Sequence, residues 1–442
     1  MAFTKNEIET PETHSHTSRG SLRSSGTAEL RQEAKDSGHL FTYVGLFAFT
    51  FIVYFRPYEM FPSLAGFAKM AFWVSILTLV IYLVTQFSTH MTLTTWTTEV
   101  KCVTFIALSA LIMMPLAKDV SLAWKTFDEY LSKILIIFII MANVLTTRRR
   151  IMGLMWLGIG IGVYLSYQAY DLYLQGIFAV EEYRVGVDFG GMFGNPNDMS
   201  IHLVMFIPIA VVLGLSSSSV LAKIAYGASA CIMVYALILT QSRGGFIGLV
   251  AVLVLLVWKL FPKRRISALA MAIIIGIGLI SIAPGNYSAR VLSIFDSSMD
   301  VSGSSSQRQE LLERSILVTI RNPLGIGLGN FPIVGVRNLQ THNAYTQVGS
   351  ELGWFALGAY IILLVTPIRC MSRIGHSIGE NQARRKDFLW AVGIQAAIVG
   401  YMFASFFGSV AYHWYVYFPI AYAVGFDHII NEQDLDPTDS IG

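Results

Sequence analysis

Apolar stretches of about 17–25 residues recur along most of the chain, each separated from the next by a short polar break. That is the length at which one helix crosses the hydrocarbon core of a bilayer. They fall near 40–55, 65–87, 102–117, 131–147, 151–170, 197–215, 219–241, 244–260, 266–284, 344–368, 388–408 and 411–428, and so predict about twelve spans. The first is short, and the last two are divided by a very tight turn. The pattern predicts an all-α polytopic membrane protein. Strands or short helices around a soluble core would need turns inside these runs. No internal repeat is visible.

Two regions break the pattern. Residues 1–38 are polar, rich in Ser, Thr, Glu and Arg, and too poor in apolar side chains to offset the entropy of ordering. They predict a disordered tail; with no signal peptide visible, the first apolar run is expected to be retained as a span. The membrane domain is then 39–430, followed by an acidic tail at 431–442. The second break is the long polar loop 285–343. Within it Leu311, Leu312, Ile316, Leu317 and Ile320 recur at helical spacing, which suits a helix lying on the membrane surface or packed on the spans. Asn322-Pro323 should end that helix, and the glycine-rich run after it should turn tightly.

Composition sharpens the class. Of 442 residues 54% are hydrophobic and 13% charged, about half the charged fraction of a soluble protein. A net charge of +3, with no basic tract interleaved with aromatics, argues against nucleic acid. Cys102, Cys231 and Cys370 have neither metal-ligand nor disulfide spacing and read as small buried hydrophobes.

The distribution of Lys and Arg sets the orientation. Arg148-Arg149-Arg150, Lys259 with Lys263-Arg264-Arg265, and Arg369, Arg373 and Arg384-Arg385-Lys386 share one side with the amino-terminal tail. Both termini are therefore expected to be cytoplasmic, and loops 171–196 and 285–343 to face outward. Arg184, Arg243, Arg290, Arg308, Arg314, Arg321 and Arg337 then lie where basic residues are normally scarce. Arg243 stands between two apolar runs, in Gln241-Ser242-Arg243-Gly244-Gly245. A charge so close to the hydrocarbon edge either faces a polar cavity or partner or snorkels to headgroups, and the two glycines let backbone or ligand approach closely.

The outward face carries four polar elements: Tyr183-Arg184 followed by Gly194-Asn195-Pro196-Asn197-Asp198; Ser242-Arg243-Gly244-Gly245; Gln307-Arg308 leading to Arg321-Asn322-Pro323-Leu324-Gly325-Ile326-Gly327-Leu328-Gly329; and Thr341-His342-Asn343 with Glu351-Leu352-Gly353. His202, His413 and Trp414-Tyr415 also fall near the outer boundary, where aromatics commonly anchor a protein at the interface. The one Asp-x-Asp pair, Asp434 and Asp436, lies in the acidic tail away from every other motif, and no His/Cys cluster has zinc spacing. No metal and no cofactor is expected.

These motifs, in this order and on this multi-span background, resemble the O-antigen ligase and O-antigen polymerase superfamily over roughly residues 180–365. The resemblance implies an integral-membrane glycosyltransferase with a GT-C-like fold, in a bacterial inner membrane, working at the periplasmic face. Its donor would be a glycan on undecaprenyl diphosphate, and its acceptor a lipid A-core sugar or another carrier-bound glycan. The resemblance carries His342 over as general base and Arg243, Arg308 and, on a weaker motif, Arg184 as diphosphate ligands. Glu351 would either orient His342 or cap its span, and Asn343 would support the loop.

The residue types suit such a reaction. A departing diphosphate needs positive charge, and the guanidinium fork grips phosphate oxygens while staying charged. An acceptor hydroxyl needs a base, and an imidazole is largely neutral near pH 7. Ligase, polymerase and, as a different class, a secondary transporter or lipid flippase remain the alternatives. A carrier would place ionisable groups near the midplane, commonly within repeats, whereas here they gather at one interface.

Overall fold

The computed structural model describes residues 39–55, 57–60, 62–67, 69–179, 183–187, 193–281, 287–292, 304–379 and 381–435. The expected tail at 1–38 lies outside them. The regular elements described are helical. In chain order they include α1 (Leu40–Phe55), α2 (Met70–His90), α3 (Thr98–Met113), α4 (Val120–Thr126), α5 (Ser132–Val144), α6 (Arg148–Leu174) and α7 (Pro196–Ser216), besides short unlabelled helices such as Pro57–Met60 and Tyr287–Leu292. There follow α8 (Val220–Leu239), α9 (Arg243–Leu260), α10 (Arg265–Ser281), α11 (Ser304–Arg321), α12 (Phe331–Val334), α13 (Ala344–Ile378), α14 (Arg385–Ala404) and α15 (Tyr417–Leu435). Among the described residues, eight helices are by themselves long and apolar enough to cross a membrane: those beginning at Met70, Thr98, Arg148, Pro196, Val220, Arg243, Ala344 and Gln382. α1 and α10 are apolar but shorter.

Three expected boundaries change. The run at 131–147 is helical over Ser132–Val144 and continues backward into α4 through a π-turn at Phe127–Leu131. The break expected as a very tight turn near 409–410 is a connection of a dozen residues, because α14 stops at Ala404 and α15 starts at Tyr417. Its residues are nearly all apolar or aromatic, so hydropathy cannot separate it from the spans beside it. Finally α15 extends to Leu435, so the first residues of the expected acidic tail are helical.

α7 is the centre of the bundle, buried along most of its length and packed on α8, α9 and α14. In lipid, where both phases are apolar, that packing is held by close van der Waals fit rather than by a hydrophobic drive between helices. The outward-facing surfaces of α2, α8 and α10 stay covered with exposed apolar side chains such as Trp73, Leu221 and Ile274, as a lipid-facing wall requires.

One end of the bundle is tied by charge. Arg148 forms an ion pair with Asp387 and donates to Gln433 Oε1 at 2.7 Å, Arg384 reaches Asp434, and Arg373 reaches Asp427. Lys259 Nζ donates to Ser372 at the same end. The basic residues grouped from the sequence are thus neighbours in space. The starts of α7, α9 and α13 lie at the opposite end, and the candidate site is built there.

Candidate functional site

Three spans begin at this polar end, each with a polar side chain capping it. Asn195 Oδ1 accepts from Asn197 N at 2.9 Å at the start of α7, and Pro196 fills the first helical position, where no amide proton is needed. Ser242 Oγ accepts from Gly245 N at 3.2 Å to cap α9. Asn343 Oδ1 accepts from the amides of Tyr345 and Thr346, at 2.9 and 3.0 Å, to cap α13. Side-chain oxygens of this kind satisfy amides that the first helical turn leaves without partners. The motifs read as chemistry are therefore also helix starts, and they aim the positive ends of three helix dipoles at one end of the molecule.

Arg184 and the Ser242-Arg243 pair share a buried network. Arg184 Nε donates to Thr240 O at 3.0 Å and its Nη2 to Asn197 Oδ1 at 2.8 Å, and the same Asn197 oxygen accepts from Ser242 Oγ at 3.0 Å. Arg243, 7% exposed, is the next residue and the first of α9. Gly244 and Gly245 are there for space. A Cβ on Gly244 would sit 2.7 Å from Phe407 Cβ, and one on Gly245 2.7 Å from Ser200. The glycines let α9 lie against α7 and against the end of α14.

His342 is set by a second network. Its backbone is left-handed, φ +52, and its amide donates to Ser409 Oγ at 2.8 Å. Ser409 Oγ lies 3.2 Å from Thr341 Oγ1, which donates to Asn343 O at 2.9 Å. The connection between α14 and α15 thus holds the turn that presents the imidazole. The same connection packs on the start of α9 through Phe407 and so joins the two networks. Burial, reinforced by the nearby guanidinium of Arg308, pushes the His342 imidazole down to about 4. Arg308 lies on α11, and its positive charge acts on the His342 imidazole.

Glu351 is fully buried, seven residues past the start of α13 at Ala344 and so about 10 Å along the helix axis. Its Oε2 accepts from Gly329 N at 3.0 Å, and Tyr412 lies against it. The backbone around it binds the glycine-rich loop: Ile326 N donates to Ser350 O, Gly327 N to Glu351 O and Trp354 N to Pro323 O. Gly325 (φ +82) and Gly353 (φ +83) face each other across this seam. A Cβ on either would fall 2.3 Å from the other strand of backbone, at Glu351 O or Pro323 O. Asn322-Pro323-Leu324-Gly325-Ile326-Gly327 and Glu351-Leu352-Gly353, two motifs in sequence, form one interlocked piece of backbone. The loop is tied on its far side to α4 by Asp119 N, which donates to Asn330 Oδ1 at 2.6 Å.

The aromatics expected as interface anchors are placed differently. His202 is fully buried, with Tyr54, Phe193 and Phe206 around it, and Tyr415 is fully buried as well. Only His413, which lies 2.9 Å from the Tyr415 hydroxyl, and Trp414 reach the surface in part. Such residues resemble interface anchors in sequence because a buried aromatic next to a loop has the same composition. Ser409 is the side chain at the candidate site that the sequence reading missed. It sits in an apolar run taken for span and turn, with no motif around it. Among the described residues no group of three or more His, Cys, Asp or Glu is arranged to hold a metal ion.

Fold and site together define a polytopic membrane protein with buried arginines and a part-buried histidine at one end of its bundle. Residues 228–361 match the family model described as O-Antigen ligase, which supports the place in the O-antigen ligase and polymerase superfamily of membrane glycosyltransferases that the motifs suggest. Comparison with curated proteins gives no match. A chain in a solved structure described as "Structural coordination of polymerization and crosslinking by a peptidoglycan synthase complex" is similar at 16% identity, covering 76% of this chain and 98% of that one, with a TM-score of 0.41. That likeness is too distant to bear on fold or function.

Proposed function

We propose that the protein transfers a glycan from undecaprenyl diphosphate to a hydroxyl of a lipid A-core sugar, at the periplasmic face of a bacterial inner membrane, with both termini cytoplasmic. The observation that supports this reading is geometric: His342, held by Ser409, lies at the end of the bundle where three helices start and where the buried Arg184–Asn197–Ser242 network sits, with the Arg308 charge acting on its imidazole. The family match, described as O-Antigen ligase, supports a transferase of the ligase and polymerase type, with polymerase as the alternative within it.

In this reading the diphosphate of the donor lies among Arg243, Arg308 and Arg184, with the helix starts adding positive potential. The acceptor O–H gives its proton to His342 as the oxygen bonds to the anomeric carbon. The bond from that carbon to the diphosphate oxygen breaks, and its electron pair leaves with the carrier. Arg308 has two effects. In the free enzyme it keeps the imidazole unprotonated, ready to accept. Once the donor's negative charge lies beside Arg308, the imidazole becomes a stronger base, so proton affinity rises when the substrate is in place. Arginine charge fixed before reaction stabilises the departing diphosphate without reorganisation.

The reading is tested on a deletion strain. A lost ligase leaves bare core on the lipopolysaccharide, whereas a lost polymerase leaves core capped with single repeat units. Unchanged lipopolysaccharide, with normal chain lengths, would contradict both.

A further inference from the structure

α11 has three faces instead of two. Leu311, Ser315 and Val318 are buried and turn toward Ile326 and Phe331 beneath the helix. Glu310, Glu313 and Arg314, with Leu317 among them, border an open groove against Val334, Gly335 and Val336 and make this face mainly polar. Between these faces runs a third row: Leu312, Ile316 and Ile320 at intervals of four residues, exposed by 37%, 43% and 60%. Water on both non-core faces would leave this row with no reason to be apolar.

The row also continues onto an exposed apolar surface of a membrane-crossing helix. At its carboxy-terminal end it meets Leu324, then Trp354 and Phe355 on α13, which are 52% and 71% exposed on a membrane-crossing helix. Trp354 is the hinge of the junction: its Nε1 donates to Thr319 O at 2.7 Å and its backbone amide to Pro323 O at 2.9 Å. A tryptophan with a bonded indole N–H and an exposed ring suits the boundary between hydrocarbon and headgroups. We infer that α11 is an interfacial helix, with its Leu312–Ile316–Ile320 row sunk into the outer leaflet continuous with the lipid-facing side of α13. The row begins one turn earlier at Arg308, since residues four apart lie on one edge of a helix. Lipid contact along the row therefore fixes Arg308 at the level of the lipid phosphates. The occupant is bilayer lipid, and the inference holds whether or not the transfer reading does.

The test uses the full chain in lipid nanodiscs. An environment-sensitive fluorophore is placed at Ile316→Cys, at Ile320→Cys and, on the polar face, at Glu313→Cys, with Cys102, Cys231 and Cys370 replaced by alanine. Lipids brominated on the upper acyl chain should quench the probes at 316 and 320, while aqueous iodide should quench the probe at 313 in preference. Iodide quenching all three alike, with no effect of bromolipid, would overturn the inference. So would probes at 316 and 320 that neither quencher reaches, because a second protein chain would then cover the row. The unmodified chain gives a second measurement that needs no variant to fold. A photoactivatable diazirine on the acyl chain of the nanodisc lipid should leave adducts on the segment 312–324 as well as on the spans. Adducts confined to the spans would contradict the assignment.

Discussion

Ser409→Ala removes a side chain that holds the His342 turn from outside its loop. Its hydroxyl accepts the His342 amide at 2.8 Å and lies 3.2 Å from Thr341 Oγ1. Without it a part-buried amide loses its partner, at a cost of about 1–3 kcal/mol. The turn itself already sits at φ +52, a conformation costing a non-glycine residue on the order of 1–3 kcal/mol unless its surroundings enforce it. The two contributions are comparable, so losing the first should let the second relax and move the imidazole. A displacement near 1 Å at a reacting group can cost on the order of 100-fold in rate. The expected result is a 10- to 100-fold fall in kcat, roughly as that displacement implies, with donor KM little changed, since no arginine is touched. Ser409→Thr retains the hydroxyl and should restore most of the rate. The assay is glycan transfer from a lipid-linked donor by purified protein in detergent, with folding checked by thermal melting. A folded alanine variant with wild-type kcat, or a threonine variant no better than alanine, would refute the positioning role.

Three further outcomes follow from the geometry. The acid limb of kcat/KM should fall near pH 4, where the buried His342 titrates; Arg308→Gln should move it upward, stopping short of 6.5 because burial is the larger cause. In stability the sign is the same: an imidazole depressed in the folded state favours unfolding as pH falls from about 6.5 toward 4, which pH-dependent melting can follow. Gly353→Ala places a Cβ 2.3 Å from Pro323 O at φ +83 and should destabilise by on the order of 1–3 kcal/mol or more, whereas Gly358→Ala, whose Cβ meets nothing within 4 Å, should be neutral; equal melting temperatures would contradict the interlocked seam. Asn197→Ala leaves Arg184 Nη2 and Ser242 Oγ without their shared acceptor and should cost about 1.5–3 kcal/mol. A melting temperature unchanged from wild type would show that the network holds little of the site together.

Class, helical character and the polar end of the molecule were legible in the sequence because each has a one-dimensional signature. Span length, basic clusters and the order of the motifs survive without any contact information. α11 was legible for the same reason, through the spacing of its apolar residues. What failed were features that depend on a partner. The sequence leaves Glu351 between orienting His342 and capping its span, and no spacing in it reveals that the glycine loop comes to this carboxylate, with Gly329 N donating to Oε2. Gly325 and Gly353 each look like ordinary turn glycines; only their mutual contact explains why both are needed. The connection 405–416 read as membrane because buried loop and buried span share a composition, and Ser409 was hidden with it. His202 and Tyr415 were mistaken for interface anchors on the same ground.

The central claim is that His342 takes the acceptor proton beside a diphosphate held by arginines. Its most direct test is single-turnover transfer by purified His342→Ala from an undecaprenyl-diphosphate-linked glycan, with donor binding measured on the same sample. The account predicts donor affinity retained and transfer lowered by about 100- to 10,000-fold, the usual worth of a positioned base. Transfer at the wild-type rate by the folded alanine variant would contradict it.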